Sequence, residues 1–365
     1  MLFKIEREKL LEALARITPI AEKRSPLPIL SHVLIETMES TLKLSATDLE
    51  VGLQVFLGCE SQDAGQIAAP AKKMFEIVRE LASGTLTVEQ TESGRITISS
   101  GHSVFHLAGM DPGDYPAWAS FEDMELSPIN AGRFVRMIDK TLFAASTDDS
   151  RHNLNSVLLE PEEEQVRMVA TDGHRLAMMV DSLKLPVVER TLIPRKSLTE
   201  MKRVLEGVSD KGISVGFDRK NMVIRTERFL MTLRLLDGEY PDYNKVLPDT
   251  GEHVVRADRA RLVQSLKRVA VLSSDRNRGV DVTVGPGRLE CMVTHPDLGN
   301  AKDVMEVDYD GDEFPFMVNV GYLLEALGVI DSEQISLEYL SEKAPIVLRP
   351  YPAETYFNLV MPMRK

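Results

Sequence analysis

The residues that most resemble a catalytic group lie in one short segment, Thr171–Arg175. Asp172 and His174 stand two residues apart there, and a carboxylate near an imidazole is a common arrangement in general acid and base catalysis. Two observations weaken this interpretation: no serine or cysteine nucleophile motif lies nearby, and a similar segment at Thr47–Glu50 lacks the histidine. We therefore favour a simpler role, in which Asp172 is a turn residue whose carboxylate accepts hydrogen bonds from its own backbone.

Other residues that could bind metals or cofactors are poorly placed. His102 and His106 lie four apart in a segment that alternates like a strand, and no carboxylate completes a ligand set. Cys59 and Cys291 are too few for a disulfide framework or a zinc site. Neither a phosphate-binding loop nor a dinucleotide-binding glycine motif occurs. We expect no metal, no cofactor and no catalytic residue.

The segment with Asp172 belongs to a repeat of the tripeptide Ala-Thr-Asp. The tripeptide occurs at 46–48 and 170–172, and a degenerate copy, Val293–His295, follows at nearly the same interval, 124 residues and then 123. Each copy ends an alternating apolar run, the pattern of a half-buried strand that leads into a turn. The apolar positions are Leu42, Leu44 and Ala46; Val166, Met168 and Ala170; Leu289, Cys291 and Val293. One module is therefore present three times.

Each module also contains two segments with the apolar spacing of an amphipathic helix. The first helix of each is expected at 8–24, 131–140 and 257–268, and the second at 71–80, 195–206 and 321–331. Two helices and several short strands in a fixed order predict an α+β fold of three repeated domains with antiparallel sheets. The connectors at 111–118 and 236–248 are rich in proline and glycine, which places the domains at 1–120, 121–248 and 249–365.

The composition is that of an ordinary globular protein. Of the 365 residues, 43 % are hydrophobic and 27 % are charged. The N-terminus carries charges where a signal peptide needs an apolar core, and no run approaches the length of a membrane span. We expect a cytoplasmic protein without membrane contact.

The net charge of −13 argues at first against a nucleic-acid partner. In five of the six predicted helices, however, basic residues recur at a spacing of seven, which is two helical turns and therefore one face. The pairs are Lys9 with Arg16, Lys72 with Arg79, Arg133 with Lys140, Arg195 with Lys202, and Arg261 with Arg268. A solvated helix face explains any one pair. The repetition of such pairs in five helices favours a surface that contacts DNA phosphates without recognising a base sequence.

With these features the chain resembles the β subunit of bacterial DNA polymerase III, the sliding-clamp family, from end to end. The motifs that carry the resemblance are LPIL (27–30), ATDLE (46–50), ATDGHRLA (170–177), PRK (194–196), YPDY with the following VLP (240–248), RGV (278–280) and VMPMR (360–364). The resemblance implies a non-catalytic DNA clamp fold. Two chains would form a head-to-tail homodimeric ring that encircles duplex DNA without sequence preference and confers processivity on the replicative polymerase.

The resemblance also implies a hydrophobic pocket between the second and third modules. It would receive short linear peptides from the replicative polymerase subunit, the clamp loader, and other DNA polymerases or repair proteins. The matching positions are Arg151, Leu154, Thr171, Gly173, His174, Arg175, Leu176, Pro241, Val246, Asn319, Tyr322, Ala344, Val360, Met361, Pro362, Met363 and Arg364. Methionines suit a surface that accepts several peptides. Taken singly, Leu154, Leu176 and Val246 are equally compatible with the core.

Two further surfaces follow from the resemblance. The positions that match the family's DNA contacts are Arg24, Lys72, His152, Asn153, Arg195 and Lys196. The dimer interface would join Lys73, Phe105 and Leu107 of one chain to Val271, Leu272 and Asp297 of the other. Because uncharged residues follow Asp297, we expect a dimer whose stability changes little with salt. Two alternatives stay open: a DNA-associated enzyme that uses Asp172 and His174, and a non-replicative scaffold of the same fold.

Overall fold

The structure is a computed structural model, and it describes residues 1–21, 27–91, 94–187, 189–208, 212–247, 253–273, 278–341 and 344–363. Within these ranges it contains six α-helices: α1 (Arg7–Ala21), α2 (Ala71–Glu80), α3 (Ala131–Thr141), α4 (Arg195–Leu205), α5 (Arg259–Ala270) and α6 (Val320–Gly328). All six helices that the sequence predicts are confirmed, with ends that differ by up to three residues where both ends are described.

Twenty-five strands make up the rest of the regular structure in the described ranges. They are β1 (Leu2–Glu6), β2 (His32–Met38), β3 (Thr41–Thr47), β4 (Val51–Gly58), β5 (Glu60–Asp63), β6 (Gly65–Pro70), β7 (Thr85–Gln90), β8 (Arg95–Ser100), β9 (Ser103–Ala108), β10 (Ser127–Asn130), β11 (Ser156–Glu162), β12 (Gln165–Thr171), β13 (Arg175–Asp181), β14 (Thr191–Pro194), β15 (Gly212–Phe217), β16 (Asn221–Arg225), β17 (Phe229–Arg234), β18 (His253–Asp258), β19 (Gly279–Gly285), β20 (Arg288–His295), β21 (Gly299–Glu306), β22 (Phe314–Asn319), β23 (Gln334–Tyr339), β24 (Ile346–Tyr351) and β25 (Tyr356–Val360).

The helices form where the apolar spacing of the sequence places one face in the core. In α1 this face consists of Leu10, Leu14 and Ile17, which are fully buried. Helix starts are also encoded locally, because side chains satisfy backbone N–H groups that have no partner inside the helix. Asp258 caps α5 by accepting a hydrogen bond from the Arg261 amide, and Asn319 caps α6 in the same way.

The chain separates into two compact units. Unit 1 contains Met1–Gly132, Leu185–Val187 and Lys196–Leu235, and unit 2 contains Arg133–Lys184, Val188–Arg195 and Leu236–Lys365. The middle third of the sequence is therefore divided between the units. Sheet pairing is the physical reason, since strands from this third continue a sheet in each unit.

Unit 1 is built on two antiparallel sheets. Its eight-stranded sheet has the order β10-β15-β16-β17-β4-β3-β2-β6, in which β17 pairs with β4. Its five-stranded sheet has the order β5-β1-β7-β8-β9, which leaves β9 at an edge. Helices α1 and α2 pack on each other, and α1 also packs on β3 and β4.

Unit 2 repeats this design. Its eight-stranded sheet has the order β14-β11-β12-β13-β25-β24-β23-β18, in which β13 pairs with β25. Its four-stranded sheet has the order β21-β20-β19-β22, which leaves β21 at an edge. Helices α5 and α6 pack on each other, and α5 packs on β20 and β21.

Candidate functional site

The Asp172 segment is a tight turn between β12 and β13. The Asp172 carboxylate accepts hydrogen bonds from the amides of His174 and Arg175, at 2.9 and 3.1 Å. The Thr171 hydroxyl accepts one from the Gly173 amide and donates one to the Arg175 carbonyl. Gly173 has a φ of +89°, a conformation that glycine adopts readily. The turn role predicted for Asp172 is confirmed, because its carboxylate meets the His174 amide and not the imidazole.

The same turn recurs in the other two copies of the tripeptide. Asp48 accepts hydrogen bonds from the amides of Glu50 and Val51. In the degenerate copy, the Nδ1 atom of His295 accepts from the amides two and three residues later, at 3.2 and 3.3 Å. A histidine ring nitrogen thus replaces the aspartate oxygen, so the third copy keeps the turn without the aspartate.

Arg175 connects the turn to the rest of unit 2. Its side chain is only 10 % exposed, and it forms ion pairs with Asp172 and with Glu325 of α6 at 3.1 and 2.7 Å. It also donates to the Phe143 carbonyl and lies 4.5 Å from the ring centroid of Tyr322. The guanidinium is therefore bonded within unit 2, which fixes the turn against α6.

The C-terminal residues after β25 are held in place by backbone hydrogen bonds. β25 ends at Val360, and the next amide, that of Met361, donates to the His174 carbonyl at 2.8 Å. The Met363 amide donates to the Met317 carbonyl at 2.7 Å. Met363 is 40 % exposed, while Val360 is buried. These bonds hold a flexible apolar side chain at the surface, which is how an adaptable binding site is built.

The connector that precedes the third module packs against the turn. The Tyr240 hydroxyl accepts a hydrogen bond from the Thr171 amide at 2.9 Å, and burial raises the pKa of Tyr240. Leu176 lies in the same apolar cluster as Tyr240 and Tyr243. The alternative that these residues belong to the core therefore holds for Leu176, which is 3 % exposed. It does not hold for Val246, which is 40 % exposed.

A cleft of about 500 Å³ opens beside the turn in unit 2. Its walls are Phe143, Ala145, Ser146, Thr147, Arg151, Asp172, His174, Arg175, Arg195, Arg278, Tyr322 and Glu325. The structure therefore brings together Arg151, His174, Arg175 and Tyr322, which the sequence assigned to peptide binding. It adds Arg195, which the sequence assigned to DNA. Arg278 was missed as a site residue, although the motif RGV that it begins was recognised.

The other described positions assigned to the peptide pocket are not among the residues that line this cleft. Leu154 is partly buried, and its amide and carbonyl bond to Arg151 and Ser146. The Asn319 side chain caps α6, and Ala344 is partly buried just before β24. Pro241 is exposed and Pro362 partly exposed. Arg364 lies outside the described residues.

The positions assigned to DNA binding differ in their surroundings. Lys72 on α2 and His152 are exposed, whereas the Asn153 side chain donates to the Glu239 carbonyl at 2.8 Å. Lys196 forms ion pairs with Asp48 and Glu50 at 2.8 and 2.5 Å. Burial opposes its charge, but hydrogen bonds to these carboxylates raise the pKa of Lys196. A contact between Lys196 and DNA stays a prediction, and Arg24 lies outside the described residues.

One member of the predicted basic helix faces is misplaced. Lys140 on α3 is buried, where its ammonium group pairs with Asp331 at 2.6 Å, bonds the Val329 carbonyl and lies over the Tyr356 ring. The prediction that it shares an exposed basic face is therefore wrong. A buried ammonium needs such partners because desolvation disfavours its charge. The spacing of seven could not reveal that this position faces the fold of unit 2.

The residues assigned to the dimer interface lie at exposed places in each unit. In unit 1, Phe105 on the edge strand β9 is 37 % exposed, Leu107 is partly exposed, and Lys73 forms an ion pair with Glu76. In unit 2, Val271 is 78 % exposed after α5, and next to it Leu272 is partly exposed. The exposed Asp297 lies in the turn that leads into the edge strand β21.

Two kinds of feature are absent from the described residues. No helix there is long and apolar enough to cross a membrane. In the same part of the chain, no group of three or more histidine, cysteine, aspartate or glutamate side chains is arranged to hold a metal ion.

Comparison with known proteins gives a consistent result along the whole chain. Models of the DNA polymerase III beta subunit match in order: the N-terminal domain at 1–119, the central domain at 128–242 and the C-terminal domain at 244–364. Beta sliding clamps from Pseudomonas aeruginosa and Escherichia coli are 34 % and 31 % identical, and each alignment covers 100 % of both chains. The crystal structure of the Pseudomonas aeruginosa subunit matches with a TM-score of 0.94 at 32 % identity over 100 % of both chains. A Bacillus subtilis sliding clamp matches with a TM-score of 0.95 at 25 % identity, covering 100 % of this chain and 99 % of that one. The chain therefore belongs to the DNA polymerase III beta subunit family, the sliding clamps, which are non-catalytic processivity factors of DNA replication.

Proposed function

We propose that two copies of this chain close head to tail into a ring around duplex DNA. In this proposal, the surface of unit 2 around His174 and the C-terminal tail binds short peptides of the replicative polymerase subunit, the clamp loader, and other polymerases or repair proteins. The ring works in the cytoplasm, with the replicating DNA, and holds these partners on it.

The observation that carries the proposal is the pair of sheet edges at β9 and β21. β9 is the counterpart of β17 and β25, since each is the last strand of its module. β21 is the counterpart of β4 and β13, since each follows the strand that ends in the Ala-Thr-Asp turn. Within the chain these counterparts pair, β17 with β4 and β25 with β13. An unpaired edge is a template for another strand, so β9 of one chain and β21 of a second are expected to pair.

The register of that pairing follows from the repeat. In each module, the strand partners of the residue four positions before the first helix trace a row across the sheet. The traces are Phe3, Val88, Ile98, Phe105; Ser127, Val215, Ile224, Met231; and Val255, Leu337, Leu348, Asn358. Phe105, Met231 and Asn358 are therefore equivalent positions in the last strands.

The equivalent positions in β4, β13 and β21 follow from the pairs across the three Ala-Thr-Asp turns. Across them, Ala46 pairs with Leu53, Ala170 with Ala177, and Val293 with Ala301. At the two pairings within the chain, Met231 lies opposite Leu53 and Asn358 lies opposite Ala177. By the same rule, Phe105 of one chain lies opposite Ala301 of the other.

Peptide binding is supported by the way in which unit 2 fixes the tail. Backbone hydrogen bonds hold Met361 and Met363, while Met363 keeps an exposed side chain. His174 and Tyr322 stack with ring centroids 6.5 Å apart beside this tail. Ordered apolar and aromatic groups at a surface bind a peptide without a large cost in conformational entropy. The pocket residues assigned from the sequence keep this role as a proposal.

The proposal also includes DNA binding by the positions assigned to it from the sequence. It includes the three predicted domains as well. Lys72, Arg195 and Lys196, with Arg24, His152 and Asn153, are the positions proposed to contact phosphates. The repeat supports three domains at 1–120, 121–248 and 249–365.

The test measures how long the protein stays on circular DNA and on linear DNA. The chain is loaded by a clamp loader onto nicked circular plasmid, and the plasmid is then cut at one site in half of the sample. A ring that encircles DNA stays on the circle and slides off the free ends of the linear form within minutes. Equal retention on both forms would show that the protein binds DNA by surface contact and would refute the ring.

A further inference from the structure

The cleft beside the Asp172 turn carries an excess of positive charge. Four of its described lining residues are arginines, and two are carboxylates, Asp172 and Glu325. Both carboxylates form ion pairs with Arg175, whose side chain is 10 % exposed. Arg151, Arg195 and Arg278 line the same cleft, and in a chain with a net charge of −13 such a concentration of guanidinium groups is unusual.

The cleft is continuous with the surface proposed to bind peptides. His174 lines the cleft, while its carbonyl accepts the hydrogen bond from the Met361 amide. Tyr322 also lines the cleft and stacks on His174. A peptide along the methionine tail therefore passes beside His174, which also lines the cleft.

We propose that the cleft binds a carboxylate of the partner peptide and that Arg278, with Arg151 and Arg195, selects peptides that carry one. The proposal rests on the peptide-binding function proposed above. A guanidinium group presents a planar fork of N–H donors that matches the two oxygens of a carboxylate. The carboxylate comes from an aspartate or glutamate beside the apolar residues, or from a free C-terminus of the peptide.

A single carboxylate fits the cleft better than a nucleic-acid strand. Glu325 is 53 % exposed in the cleft wall, and because its charge repels each added negative group, a chain of phosphates is disfavoured more than one carboxylate. A volume of about 500 Å³ holds a few side chains but not a run of nucleotides. Arg195 therefore has a second interpretation, as a contact of the peptide and not of DNA.

The experiment compares labelled peptides with the full-length chain by fluorescence anisotropy. The probes share a short apolar core of leucine and phenylalanine, and one aspartate or one asparagine is placed at successive positions on either side of the core. A further pair has a free or an amidated C-terminus, which separates the two sources of the carboxylate. At 50 mM salt we expect the best aspartate probe, or the free-acid probe, to bind about five- to tenfold more tightly than its neutral partner. This preference shrinks at 500 mM salt.

Two variants test which arginines are responsible for the preference for acidic probes. Arg278→Gln and Arg151→Gln change exposed side chains, and we expect each to lower the preference, which is the ratio of the affinities for the acidic and the neutral probe, to below about twofold. The matched control is Arg288→Gln, an exposed arginine of unit 2 that pairs with Glu313 outside the cleft. It should leave the preference unchanged.

The outcomes separate the inference from the function on which it depends. If neutral probes bind and no acidic probe is preferred at any position, the inference is wrong and peptide binding stands. If none of the probes binds, the peptide-binding proposal itself is wrong. A preference that survives in both variants also overturns the inference. So does a result in which Arg278→Gln weakens binding of a single-stranded oligonucleotide and leaves the acidic preference intact.

Discussion

The pairing of β9 with β21 between two chains predicts a specific disulfide. We would replace Phe105 and Ala301 by cysteine in one chain, on a background in which the half-buried Cys59 is serine. Burial raises the pKa of the remaining thiol, Cys291, to about 12, so this residue should not react under mild oxidation.

The geometry leaves little tolerance for an error of register. Residues directly opposite each other in antiparallel strands have Cα atoms about 4.5–5.5 Å apart, within the roughly 4.4–6.8 Å that a disulfide spans. A shift by one residue turns the side chains to opposite faces of the sheet. The control is Phe105→Cys with Asn300→Cys, one residue out of the predicted register, which should not cross-link.

Non-reducing gel electrophoresis measures the product, and light scattering measures its mass. Because a closed dimer contains the interface twice, complete oxidation should give a covalent dimer and no larger species. A ladder of longer oligomers would mean that head-to-tail contacts do not close. Efficient cross-linking of the control, or none of the Phe105 and Ala301 pair, would refute the register derived from the repeat.

Four other outcomes are expected. Tyr240→Phe removes the acceptor of a buried amide and should lower the free energy of unfolding by about 1–2 kcal/mol in urea titrations; an unchanged value would contradict that role. Asp48→Asn breaks the ion pair with Lys196. Burial opposes the ionised form of Asp48, but hydrogen bonds from Lys196 and the backbone lower its pKa. Its stabilisation is therefore present above the ordinary aspartate value and lost as pH falls through the lowered pKa, so a pH series should show the variant and the parent converging below about pH 4. Lys140→Met should leave DNA retention unchanged because this side chain is buried, whereas Lys72→Met should shorten it; equal effects would contradict the placement of Lys140. The dimer should persist between low and moderate NaCl in sedimentation experiments, and dissociation as salt rises would show that charge holds the interface.

Local features of the fold were predictable from short stretches of sequence. The three turns form because residues within a few positions of one another satisfy each other's hydrogen bonds, and apolar spacing alone places the six helices. Even the degenerate turn at His295 keeps its geometry, because a ring nitrogen accepts the bonds that the aspartate accepts in the other copies.

The candidate site was predictable only in part. A repeat with one altered copy identified the Thr171–Arg175 segment, and the resemblance assigned it to peptides. The sequence did not predict that Arg195 and Arg278 line one cleft with His174, since these residues are far apart in the chain. It also gave no sign that the Tyr240 hydroxyl holds the Thr171 amide.

By itself, the sequence determined the module, its three copies, the turns and the helices, because these depend on interactions between near neighbours. Only the tertiary structure decided which strands of different modules pair, which cations are buried or matched by carboxylates, and which edges stay open. Those outcomes depend on contacts between residues that are distant in the chain, and local periodicity contains no information about such contacts. Lys140 and Arg261 illustrate the difference, since both belong to the same spacing of seven, yet one is buried and the other exposed.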